Sequence, residues 1–222
     1  MTINFKSKDQ ELTVVHSTAG PITYRAEVDT KTAFWSTLKG ANAGTSARAK
    51  ALLEQALMCK EELWVIGDIT KTGDMGGAAY AALPTSTGYV HVMIWDPSAE
   101  MSYDASARWV PKLRSTTHGQ LKVTDRNAPR AKLGPPILLL HELGHFDQFL
   151  TKQAWYLDLC NKQRLGTKDE LIACQGDIEA DNLARNEWPV CDQLGIHKRQ
   201  TYWDDSGNVV TTENLAKFGV VL

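Results

Sequence analysis

The chain has no apolar run near the ~20 residues that a bilayer-crossing helix needs. Its densest apolar stretch, Ile-Leu-Leu-Leu at residues 137–140, is far too short. The opening residues, MTINFK, lack a basic segment followed by an apolar one, so no cleavable Sec signal is expected there. Charge of one sign is also missing: 24 Lys and Arg stand against 26 Asp and Glu, a net charge of −2. That balance gives no electrostatic case for nucleic acid or an anionic membrane as partner. No internal repeat or low-complexity tract stands out. The four cysteines, Cys59, Cys160, Cys174 and Cys191, never fall in the CxxC spacing of a zinc knuckle or redox motif. They read as four separate thiols, with disulfides left open for an oxidising compartment.

What is present suits a globular protein. At 222 residues and 43% hydrophobic, the chain can bury a core without covalent staples. No domain boundary is apparent, so residues 1–222 are taken as one domain. Residues 12–16 and 22–24 flank Gly20-Pro21 and predict two strands joined by a turn. Thr45 or Ser46 caps a helix expected to run to about Glu62, because Ala49, Leu52, Leu53, Ala56 and Leu57 recur at helical spacing. Residues 63–66 read as a buried strand, and the Gly-, Thr- and Ala-rich residues 68–88 as loop. Residues 89–95 give the clearest strand, with Val90, Val92 and Ile94 on one face and Tyr89, His91, Met93 and Trp95 on the other. Residues 98–134 are polar and mixed, and are expected to be a long loop walling a cleft. Pro135-Pro136 then opens a helix predicted to reach about Leu159. Thr167 and Glu170 form a capping box for the next helix, predicted to stop at Pro189. Residues 218–222 read as a last strand-like piece.

The chemistry lies on the first of these two helices. His141-Glu142-Leu143-Gly144-His145 matches H-E-x-x-H. Residues four apart share a helical face one turn apart, so both imidazoles can reach one metal ion. Glu142 sits beside them as a general base toward zinc-activated water. At average residue frequencies the pattern arises by chance in roughly 1% or fewer of chains of this size. A catalytic zinc usually takes a third protein ligand. The capped second helix offers Glu179 and Glu187, with Asp177 and Asp181 also available. His91 reads as a paired sheet histidine, and His16, His118 and His197 as surface histidines. Tyr202 and Arg199 follow the second helix closely enough to reach back and steady an oxyanion, or Tyr202 packs the C-terminal segment with Trp203.

These residues together resemble the HExxH zinc metallopeptidase effectors of bacteria, which include peptidase domains at the end of type VI secretion spike proteins and related type III effectors. The likeness rests on the motif helix, on residues 179–187 (EADNLARNE) and on residues 194–202 (LGIHKRQTY), which is similar to the family's Leu-Gly-Leu-Pro-x-Arg-x-x-Tyr. It implies Glu179 as third ligand, with Tyr202 and Arg199 in supporting or oxyanion roles. Glu187 stays an alternative, because Trp188 follows it where the family has Asn, and His197 stands in the proline position. The resemblance further implies a toxin, cytoplasmic in its producer, then exported by a signal-peptide-independent, type VI-like route into a target cell. A secretion spike and a cognate immunity protein would be its partners.

The expected architecture is α+β and zincin-like: a small twisted sheet packed on two long helices that carry the ligands. The expected activity is zinc-dependent hydrolysis of peptide bonds, in a cleft beside strand 89–95 that offers its edge to an extended peptide. Two readings compete. One is an amidase or carboxypeptidase acting on peptidoglycan stem peptides. The other is a zinc-stabilised binding module without turnover.

Overall fold

The computed structural model describes residues 3–68, 77–104, 107–110, 120–123, 130–165, 168–199, 203–204, 207–208, 210 and 212–219. It is a mixed helix-and-sheet protein built around a small sheet. Strands β1 (Ile3–Phe5), β2 (Glu11–His16) and β3 (Gly20–Arg25) come first, then helices α1 (Thr30–Gly40) and α2 (Ala47–Met58). Strands β4 (Leu63–Gly67), β5 (Ala78–Thr85) and β6 (Gly88–Trp95) follow, then four short strands, β7 (Met101–Asp104), β8 (Ala107–Val110), β9 (Gln120–Val123) and β10 (Arg130–Leu133). The long helix α3 (Pro135–Leu165) leads to α4 (Lys168–Asn182), a π-helical turn (Leu183–Glu187) and α5 (Trp188–Leu194). Short strands β11 (Trp203–Asp204) and β12 (Gly207–Asn208) and helix α6 (Thr212–Lys217) end it.

The main sheet runs in the order β1-β4-β6-β5. The first two pairings are parallel and β5 is antiparallel to β6. Strand 89–95 is therefore central, bonded on both sides, and has no edge to offer. The edge belongs to β5, inside the stretch expected to be loop. Its sequence, AAYAALPT, is short of the β-branched residues that mark a strand, and pairing with β6 overrides that weak local preference. The alternation across β6 holds. Met93 and Trp95 join Leu63, Val65, Phe34, Leu52, Leu139 and Phe146 in the core under α3. Val92, with Val90 and Ile94, packs against Leu12 and Val14 of the β2–β3 hairpin on the opposite face.

Other expectations change too. Residues 98–134 contain two antiparallel pairs, β7–β10 and β8–β9, where a long loop was expected. Helix α1 was not anticipated. Its threonines are weak helix formers, and it gains support from Asp29, which accepts from Thr32 N at 3.4 Å, and from buried Phe34 and Leu38. Ser46 caps α2, accepting from Ala49 N at 3.1 Å, and the helix ends at Met58 rather than Glu62. Helix α3 reaches Leu165, past the expected Leu159, with a kink at Lys152 (φ −138°, ψ 38°). Pro189 does not stop the second helix. It falls in the first turn of α5, and the wider π turn before it takes up the clash its ring would make four residues back. Residues 218 and 219 form a turn after α6, and residues 220–222 of the anticipated strand lie outside the described residues.

Every residue from 137 to 149 is buried, so this part of α3 is enclosed on all sides. Its start is pinned to the sheet, where Trp95 Nε1 donates to Pro135 O at 3.0 Å. Trp95 is itself fully buried. Trp95→Ala removes that packing and that anchor, and is expected to cost roughly 3–5 kcal/mol in unfolding free energy, read from urea titration. A loss below about 1 kcal/mol would contradict this placement.

Candidate metal centre

Helix α3 supplies two imidazoles and α4 brings a carboxylate to meet them. His141 Nε2 and His145 Nε2 lie 3.1 Å apart. Glu179 Oε2 is 3.2 Å from His141 Nε2, and Glu179 Oε1 is 3.4 Å from His145 Nε2. All three residues are buried. The donors of a tetrahedral ion with ligands at ~2.0–2.1 Å stand roughly 3.3 Å apart, and these three spacings match that figure.

Hydrogen bonding on the far side of each ring strengthens the fit. His141 Nδ1 lies 2.8 Å from Glu187 Oε2. Arg199 grips that same carboxylate, with Nε 2.9 Å from Oε1 and Nη2 2.7 Å from Oε2. Arg199 Nη2 and Asn182 Nδ2 also lie 3.2 and 3.3 Å from Nδ1, but the carboxylate is the nearest partner, and a hydrogen on Nδ1 toward it leaves Nε2 its lone pair. His145 Nδ1 is 2.8 Å from Gln148 Oε1, the same arrangement with a neutral acceptor. Two imidazole lone pairs and a carboxylate thus converge in a buried place. Glu179 Oε2 is buried with no hydrogen-bond partner among the described residues. Such a group needs a cation, and the His141–His145–Glu179 set, with ligand atoms within 4.8 Å of one another, can hold a metal ion.

The sequence left Glu179 and Glu187 as alternatives, and the structure gives each a separate contact. In unbroken α-helix eight residues turn through ~800°, which leaves two side chains about 80° apart. The π turn at Leu183–Glu187 inserts one extra residue, so the rotation falls to about 700°, close to two full turns. Both glutamates then face His141, Glu179 on Nε2 and Glu187 on Nδ1. Close approach of the helices depends on Gly144. A Cβ there would lie 2.0 Å from Asn182 Oδ1 and 2.7 Å from Asn186 Nδ2. Instead Asn182 Nδ2 donates to His141 O at 2.9 Å and Asn186 Nδ2 to Gly144 O at 3.3 Å. Arg48 of α2 closes the arrangement, donating to Asn186 Oδ1 and Asp147 Oδ2, each at 2.9 Å.

Glu142 is buried beside the imidazoles. Burial raises its pKa, and His141 and His145 only partly offset that, which makes it a stronger base than an exposed glutamate. The other carboxylates seen in the sequence are engaged elsewhere. Asp177 accepts from Asn214 Nδ2 at 2.6 Å and from Lys217 at 2.9 Å. Asp181 accepts from Lys152 Nζ at 2.7 Å and Gln148 Nε2 at 2.8 Å. Arg199 is buried and paired with Glu187. Tyr202 and His118 lie outside the described residues. His91 sits in the sheet, fully buried, 2.7 Å from Tyr80 Oη. His16 accepts from the backbone N–H of Thr18 and Ala19, and His197 O accepts from Tyr103 Oη. All four cysteines are free thiols. Sequence reasoning passed over Gln148, Asn182, Asn186 and Arg48. The one available signal was a polar Asp147-Gln148 pair between the apolar residues Phe146 and Phe149.

No protein-family model, curated protein or solved structure matches the chain.

Without metal, protons take the cation's place. Burial alone would lower the His141 pKa, but Glu179 and Glu187 outweigh it and push the pKa from 6.5 up to about 10. Burial likewise opposes the charge on Glu187, yet Arg199 and His141 hold its pKa down from 4.5 to about 2. The raised imidazole stabilises the fold fully below pH 6.5 and loses that contribution as pH climbs toward 10. The depressed carboxylate stabilises fully above pH 4.5 and loses that contribution as pH falls toward 2. Chelator-treated protein is therefore expected to have its highest melting temperature between about 4.5 and 6.5, falling on either side. Calorimetry across pH checks this, and an alkaline limb unchanged by His141→Gln would contradict the pairing.

Proposed function

We propose that the chain is a zinc-dependent metallopeptidase of zincin-like architecture, with the metal on His141, His145 and Glu179. The observation that carries this reading is the set of three ligand-atom spacings, 3.1, 3.2 and 3.4 Å, with a buried carboxylate, Glu142, adjoining. Three protein ligands among the described residues is the number a catalytic zinc keeps, whereas a structural zinc takes four. That favours turnover over a binding module.

When bound, zinc supplies a Lewis acid for the scissile carbonyl and brings the pKa of a water ligand toward ~7. Glu142 accepts the proton of the attacking water and hands it to the leaving amine nitrogen. The apolar enclosure around residues 137–149 keeps bulk water from competing for that proton. Arg199 holds Glu187, and the resemblance to the HExxH effectors assigns Tyr202 to steadying the developing oxyanion. The substrate lies along β5. Among the described residues no strand ladder forms on its outer edge, where Ser17 N donates to Pro84 O at 2.9 Å near one end; β5 packs on α3, and its Tyr80 ring stacks against His145 at 6.5 Å. An extended peptide added there as a further strand would run beside the motif.

The effector role has one support, the resemblance of the motif helix and of residues 179–187 and 194–202. On that ground we assign the chain to signal-peptide-independent export, with a spike and an immunity protein as partners. No helix among the described residues is long and apolar enough to cross a membrane.

The test is Glu142→Gln, assayed on an unfolded protein and on purified sacculi. The variant is expected to keep its zinc and lose about 10²–10⁴-fold in rate. Cleavage of unfolded protein supports the peptidase, and release of stem peptides from sacculi alone moves the substrate to peptidoglycan. Full activity in Glu142→Gln sinks the mechanism.

A further inference from the structure

Gln148 is fully buried on a stretch of α3 that is otherwise almost entirely apolar or metal-binding. Packing alone would be served by a leucine or methionine there. Its amide instead makes three directed contacts. Nε2 donates to Ile178 O at 2.8 Å and to Asp181 Oδ2 at 2.8 Å, and Oε1 lies 2.8 Å from His145 Nδ1. The carbonyl and the ionised carboxylate accept and cannot donate, so both amide hydrogens are spent and the amide has one orientation. Oε1 must then face the imidazole. An amide oxygen cannot donate either, so Nδ1 of His145 carries the hydrogen and Nε2 is left bare.

Asp181 is held in its turn. Lys152 Nζ donates to Oδ1 at 2.7 Å, and Arg185 Nη1 lies 3.6 Å from Oδ2. Lys152 is the residue at which α3 departs from helical geometry, and Arg185 belongs to the π turn. Both backbone irregularities in the two ligand-bearing helices thus meet at the carboxylate that orients Gln148.

We propose that Gln148 is a positioning residue for His145: with Asp181 and Lys152 it fixes the ring's tautomer and aims Nε2 at the metal. The proposal rests on the metal-centre reading. It also makes the two histidines unequal ligands, since His141 leans on an anion and His145 on a neutral amide. The hydrogen-bond partner of a metal-bound imidazole raises its basicity and locks its orientation.

Zinc affinity, by competition with a chromophoric chelator, and imidazole ¹H–¹⁵N spectra of the zinc-loaded protein test this together. The parent should show two sheltered Nδ1–H signals. Gln148→Met should bind zinc about 10–100-fold more weakly and lose or shift the His145 signal while the His141 signal stays. Gln148→Glu should also bind weakly, because it sets a carboxylate against Ile178 O and Asp181. Adding Asp181→Asn reverses one donor: the new amide accepts from Lys152 and donates to the glutamate, which still accepts from His145. The double variant Gln148→Glu/Asp181→Asn should therefore regain at least tenfold over Gln148→Glu, a rescue that a packing role would not give. The proposal is overturned if Gln148→Met keeps parental affinity and both signals. Where Gln148→Met does not fold, a folded double variant no better than Gln148→Glu overturns it. A parent that takes up no zinc overturns the metal reading and this proposal with it.

Discussion

Lone pairs of two imidazoles and a carboxylate repel one another when they converge in a buried site, and the rest of the structure depends on how that repulsion is relieved. Glu142, Glu179 and Glu187 are buried around His141 with one buried guanidinium, Arg199. When all are ionised, three carboxylates against one guanidinium leave two negative charges uncompensated, the charge that a divalent cation neutralises. A lone buried charge is far too costly to persist, so the arrangement makes sense as a holder for a cation. The donors behind the rings point the same way. Each imidazole has an acceptor on its Nδ1 side, and Nε2 of both is turned toward Glu179.

The scaffold meets this demand with backbone geometry as much as with side chains. Gly144 lets the second helix close on the first, and the asparagines Asn182 and Asn186 bind the carbonyls that this approach brings near. The π turn then brings a second glutamate round to the same histidine. Pro189 comes two residues after that turn, so a residue that would break an α-helix instead sits just past the point where the helix has widened. The sheet contributes rigidity from below, through Trp95 and Phe146 in one continuous core.

Much of this was legible in the sequence. The i, i+4 histidines need only helical periodicity, and α3 is the helix their apolar neighbours predict. The alternation in β6 told its two faces apart because each face meets a different apolar partner. What was hidden has physical reasons. β5 is rich in alanine and takes its conformation from its neighbour, so an edge of the sheet was assigned to the wrong strand. The π turn has no local signature, since Leu183, Ala184 and Arg185 suit an ordinary α-helix, and without it the places of Glu179 and Glu187 around His141 are not readable. Gln148 and Asn186 look like surface residues in a linear reading. Only tertiary packing shows that they are buried and why each polar atom there has a partner.

The most direct test of the account is metal per chain, by elemental analysis of protein purified without a metal-binding tag, with His141→Ala, Glu179→Ala and Glu187→Ala beside it. The account predicts about one zinc in the parent, loss of zinc in His141→Ala and Glu179→Ala, and weakened but measurable zinc in Glu187→Ala. A parent with no zinc after reconstitution, or a Glu179→Ala variant that holds zinc as tightly as the parent, would contradict it.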